Sequence, residues 1–233
     1  MKLCILSGGA AAGLVNPLKA DFEASHACQL HSTFSAVGAM KEKLLAGEPC
    51  DLLILTQSLI EGLIASGHVR AGSLAALGVV KTGIAVKAGA ARPAIQTRAD
   101  LQAAFRAAEG IYFPDPKLAT AGIHFFKVLQ TLGLDVELAE RFRTFPNGAT
   151  AMAAMAKDTG SNLIGCTQVT EIKYTAGIDL IGLLPQEFEL ATVYALGIPT
   201  TAKQPELAQQ LAHLLTGSIT RQLRLDGGFE LQD

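Results

Sequence analysis

Residues 51–55 read Asp-Leu-Leu-Ile-Leu, and after the aspartate no side chain in the run is polar. A strand of that kind has to be covered on both faces, which is the condition of a parallel strand inside a layered α/β domain. Its surroundings read the same way. Residues 1–6 form a strand that enters the small-residue stretch Ser7-Gly8-Gly9-Ala10-Ala11-Ala12-Gly13 and then an amphipathic helix. Residues 27–33 form a second strand, a helix over 36–46 stops at Gly47-Glu48-Pro49, and a helix over 57–65 follows the third strand. This β-α-β-α-β-α order predicts a doubly wound parallel sheet, whose ligands bind beyond the carboxyl ends of the strands. The opening strand, glycine turn and helix front make an anion-binding corner, because helix N-termini present unsatisfied N–H groups and a partial positive charge.

Further along, the pattern changes. Residues 77–86 and 190–198 read as long strands, and between them lie helices near 99–107, 121–132 and 149–156 and strands at 111–113, 162–165 and 179–183. Helices over 205–215 and 218–225 end the chain. Two long strands bracketing an inserted α/β unit predict two lobes, 1–80 with 196–233 and 81–195, joined by two crossover strands.

Composition excludes several partners. The formal charge of this 233-residue chain is −2, and its lysines and arginines do not cluster, so nucleic acid is not expected. No apolar run reaches the ~18 residues of a membrane helix, so membrane insertion is not expected either. The first residues lack the charged start and long apolar core of a secretory signal, which points to the cytoplasm, or to the periplasm if a signal has been removed. Cys4, Cys28, Cys50 and Cys166 have neither metal-ligand nor disulfide spacing; free thiols suit a reducing compartment, and no metal or cofactor is expected.

Several stretches resemble the molybdate-binding periplasmic proteins. They are Phe34 with Leu44-Leu45-Ala46-Gly47-Glu48-Pro49-Cys50-Asp51-Leu52-Leu53-Ile54, then Asp115-Pro116-Lys117-Leu118-Ala119-Thr120-Ala121-Gly122-Ile123, Leu129-Gln130-Thr131-Leu132-Gly133, and Ile164-Gly165-Cys166-Thr167-Gln168. The resemblance implies a type II periplasmic-binding-protein fold, α/β, with two lobes closing on an anion in the cleft between them. It also implies ligand loops at Ser7-Gly8-Gly9-Ala10, Phe34-Ser35-Ala36-Val37-Gly38, Thr120-Ala121-Gly122, Asn147-Gly148-Ala149 and Cys166-Thr167. Against the molybdate pattern, Ala10 and Ala36-Val37-Gly38 replace serines, and Cys166 stands where a tyrosine is expected. Each change removes a hydroxyl donor, and a buried oxyanion oxygen without its donor costs on the order of 1–3 kcal/mol. Di- or tricarboxylates are therefore the expected ligands.

Aconitate isomerases are similar in sequence to the same receptors, which adds a catalytic expectation. Isomerising an unsaturated acid requires proton transfer or reversible addition of a nucleophile. Cys166, after an apolar strand, is the candidate for either role; the same position suits a small buried side chain. Ser7, Thr33, Ser35 and Thr120 are candidate carboxylate donors, and each is equally placed to cap a helix. His124 falls nearer the Lys127–Thr131 face of its helix and reads as exposed. The leading expectation is a cytoplasmic isomerase of an unsaturated polycarboxylate. The alternative is an oxyanion receptor serving an ATP-driven importer, with its permease as partner if the chain is exported.

Overall fold

A computed structural model describes residues 1–231. The chain divides into two compact units, Met1–Val80 with the stretch from Thr192 on, and Lys81–Ala191.

The first unit opens with β1 (Lys2–Gly8), a 3-10 turn at Gly9–Ala11, and α1 (Ala12–His26). Then come β2 (Gln29–Ser35), α2 (Val37–Leu45), β3 (Leu52–Thr56) and α3 (Gln57–Ala65). β1 pairs in parallel with both β2 and β3, setting Gly8 level with Ser35 and Ser7 level with Ile54. All five residues of β3 are buried, so the run without a polar face lies in the covered interior of the sheet. Asp51 sits just ahead of it, and its carboxylate accepts from the Cys4 amide at 2.8 Å and from the Lys203 and Gln204 amides at 2.7 and 3.0 Å.

β4 (Ala75–Lys87) carries the chain into the second unit, which continues through α4 (Arg98–Ala107), β5 (Gly110–Pro114), α5 (Thr120–Thr131), β6 (Phe142–Phe145), α6 (Gly148–Lys157), β7 (Leu163–Gln168), α7 (Val169–Tyr174) and β8 (Ile178–Leu183). β7 lies between β4, to which it is antiparallel, and β5, to which it is parallel; β6 extends β5 in parallel and β8 pairs with β4. β9 (Ala191–Gly197) returns the chain to the first unit and pairs antiparallel with β3, and α8 (Pro205–Thr216) and α9 (Arg221–Gly227) follow.

Two short elements escape the periodicity of the sequence. β6 is a four-residue edge strand in which only the phenylalanines turn inward, and α7 has a single turn and a half in which to show a helical period. Alternation along β7 decides what each of its residues does. Ile164 and Cys166 enter a core with Phe113, Phe125 and Leu129, while Leu163 enters another with Tyr112, Met152 and Met155.

Candidate functional site

The longer helices fall into two groups at their N-terminal ends. α4 carries a capping box, Thr97 Oγ1 accepting from the Asp100 amide at 3.1 Å and the Asp100 carboxylate from the Thr97 amide at 3.0 Å. α6 has the same arrangement through Asn147 and Thr150, at 2.9 and 3.3 Å. α8 has no side-chain cap, and Asp51 takes the Lys203 and Gln204 amides just ahead of it. α1 with its leading 3-10 turn, α2, α3 and α5 have no side-chain cap either. These four follow directly from β1, β2, β3 and β5, the strands whose carboxyl ends present ligands in such sheets. A helix front without a cap keeps its N–H donors and its partial positive charge available to an anion.

Within the first unit, two of these fronts come together. Gly8 closes β1, and a Cβ placed there would lie 2.7 Å from Val37 Cγ1 and 3.1 Å from the Tyr194 ring, so only glycine lets the front of α2 approach. Gly9, Ala36 and Val37 are buried. Ser7 is fully buried and its hydroxyl donates to the Gly8 carbonyl at 2.9 Å. Thr33 is exposed on β2, and Ser35 is half-buried at its end. The donors gathered here are backbone amides rather than hydroxyls.

In the second unit, Thr120, Ala121 and Gly122 form the first turn of α5. A Cβ on Gly122 would lie 2.2 Å from the Asp115 carbonyl oxygen and 2.3 Å from that of Pro114, so glycine is what seats the helix front against the end of β5. Gly148 and Thr167 serve a different group. Thr167 Oγ1 donates to Glu171 at 2.6 Å, and Gly148 is so close that a Cβ would lie 1.9 Å from Thr167 Oγ1 and 2.1 Å from Glu171 Oε2. The carboxyl of Glu171 thus covers the front of α6 from within the unit. Burial pushes its pKa up to about 6, against the pull of the Thr167 hydroxyl and of the Ala149, Gly148 and Gln168 amides toward the ionised form.

Cys166 is not placed for chemistry. It is fully buried in the core between Ile164 and the α5 side chains, and burial raises its thiol well above the ordinary range. A thiol raised in this way gives little thiolate near neutrality, which weighs against a nucleophilic role for this residue. His124 is half-buried rather than exposed, its Nε2 2.7 Å from the Phe188 carbonyl oxygen. Two residues beyond Cys166 lies Gln168, 2% exposed, with neither carboxamide atom bonded among the described residues; Thr82 Oγ1 and Thr170 Oγ1 are buried in the same condition. Among the described residues, no three His, Cys, Asp or Glu side chains gather as metal ligands.

The same α/β arrangement occurs in known proteins. A family model described as bacterial extracellular solute-binding protein covers residues 3–230. The chain belongs to that family. In sequence, this family member is 25% identical to an aconitate isomerase from Pseudomonas sp over 98% of its own length and 87% of the relative's. In structure it is similar to the periplasmic molybdate-binding protein of Azotobacter vinelandii, with a TM-score of 0.80 at 18% identity over 99% of this chain and 100% of that one. It is also similar to the sulfate-binding protein SubI from Mycobacterium tuberculosis H37Rv, with a TM-score of 0.77 at 15% identity over 100% and 88%. The fold is thus the two-lobed α/β fold of the periplasmic binding proteins. The signal that could have found Gln168 is the alternation of β7, with Ile164 and Cys166 inward among apolar neighbours and a polar residue next on the same face.

Proposed function

We propose that this chain binds a small di- or tricarboxylate, held mainly by backbone N–H groups at open helix fronts. The observation that carries the reading is the split among helix fronts: α4 and α6 are covered by the chain's own side chains, while α1, α2, α3 and α5, each following a strand, are left open. Separate open fronts match an anion whose charge is spread over separate carboxylates. A tetrahedral oxyanion concentrates its charge at one centre and depends on converging hydroxyls, and here Ala10, Ala36 and Val37 supply none while Ser7 is turned onto Gly8. The family description, extracellular, favours work outside the cytoplasm with an importer permease as partner.

Isomerisation of an unsaturated tricarboxylate is the second reading, favoured by the aconitate isomerase similarity along nearly the whole chain. It needs a group titrating near neutrality. Glu171 has that pKa, but its carboxyl is engaged at the front of α6. Binding is therefore the reading the geometry supports best.

Thermal unfolding with a panel of anions tests it. Succinate, citrate and trans-aconitate are expected to raise the midpoint, a ligand at a hundredfold excess over its Kd adding about 2.7 kcal/mol, with molybdate, tungstate and sulfate well behind. Stabilisation by molybdate or sulfate with no carboxylate response would overturn the proposal. Proton NMR of the trans-aconitate sample follows its conversion to the cis isomer, which supports the second reading if it occurs.

A further inference from the structure

We infer that Gln168, paired with Thr82 across the sheet, reads a hydrogen-bond donor carried by the ligand, so that this chain selects a hydroxycarboxylate over its deoxy counterpart. The inference rests on the carboxylate-binding reading above and narrows it.

The placement comes from the sheet. Thr82 stands directly opposite Gln168 in the antiparallel ladder of β4 and β7, and opposite residues in such a ladder project to the same face. One pair back on that face, Ile84 opposite Cys166 lies wholly within the apolar core. The core thus gives way at Thr82 and Gln168 to polar side chains. α5 packs on the same face through Phe125, Val128 and Leu129, and β5, which leads into α5, runs parallel beside β7. The Gln168 carboxamide and the open front of α5 therefore share one face and one end of the sheet.

Three side-chain atoms there, Gln168 Nε2 and Oε1 and Thr82 Oγ1, are buried without a hydrogen-bond partner among the described residues. Buried polar groups are costly unless paired, so this cluster is suited to a polar occupant. Its chemistry follows from what each atom offers. The Thr82 hydroxyl rotates and serves as donor or acceptor, and Nε2 donates, so a carboxylate satisfies both. Oε1 only accepts, and exchanging the two amide atoms leaves the same requirement. An ionised carboxylate, molybdate or sulfate has no proton for it. A hydroxyl on the carbon next to a carboxylate has one, and a site built to bond a ligand hydroxyl rejects the analogue without it.

Calorimetric titration with matched pairs, malate against succinate and citrate against propane-1,2,3-tricarboxylate, tests this on the wild type and on Gln168→Met, which keeps the length of the side chain and removes both polar atoms. The wild type is expected to prefer the hydroxy member of each pair roughly tenfold or more. Gln168→Met is expected to reduce that preference to about twofold, mostly by weakening the hydroxy acid. Thr82→Val is expected to weaken both members alike. Equal affinity for the members of each pair in the wild type overturns the inference and leaves the carboxylate reading standing, even if the variants fail to fold. A preference that survives Gln168→Met also overturns it, and absence of binding by all four acids overturns both.

Discussion

Glu171→Ala is expected to destabilise the protein by about 3 kcal/mol at neutral pH, measured by denaturant unfolding. The substitution leaves the Thr167 hydroxyl without its acceptor, opens a cavity in a buried site, and withdraws the carboxyl that faces the Gly148 and Ala149 amides. The deficit should also depend on pH in a direction opposite to that of most carboxylates. Glu171 has a folded pKa raised to about 6 from an ordinary value of 4.5, so the folded state takes up its proton first. Its contribution to stability is greatest below about 4.5 and is lost as pH rises through about 6, a difference of roughly 2 kcal/mol across that window. The gap between wild type and Glu171→Ala should therefore widen by about that amount between pH 7 and pH 4.5. A gap that is constant or narrows on acidification would mean that the carboxyl ionises with an ordinary or lowered pKa.

Gly122→Ala is expected to cost about 2–3 kcal/mol and to weaken carboxylate binding markedly. The added methyl would meet two backbone carbonyl oxygens, those of Asp115 and Pro114, and neither can turn aside as a side chain does. α5 has to move off the end of β5, carrying its open front away from its present place. Gly62→Ala is the control. That position is exposed on α3 with nothing within 4 Å of the added carbon, and the change should stabilise the chain by about 0.5–1 kcal/mol. Similar stability for both variants would show that the seating of α5 does not need a glycine.

Most of the scaffold could be read from the residues because the deciding patterns are local. β3 announces itself by having no polar face, and the helix over 57–65 coincides with α3. β6 and α7 were not legible because four and six residues are too few to display a period. The open helix fronts were legible as small-residue turns after strands. That Gly148 and Thr167 belong to Glu171 was not, since the carboxyl reaches the front of α6 only after β7 and α7 have folded beside it. Cys166 and Gln168 show the same limit at finer scale. Composition identifies the strand that contains both, but only pairing with β4 and packing against α5 decides that the thiol is covered by apolar side chains and the carboxamide is not.

The most direct test follows backbone amide resonances of the isotopically labelled protein during titration with citrate. Large shifts are predicted for Gly9, Gly38, Ala121 and Gly122, at the open fronts of the α1 turn, α2 and α5, with little change at the covered fronts of α4 and α6. Shifts concentrated at the covered fronts, or saturable binding that leaves all these amides unmoved, would contradict the claim that uncapped helix ends hold the anion.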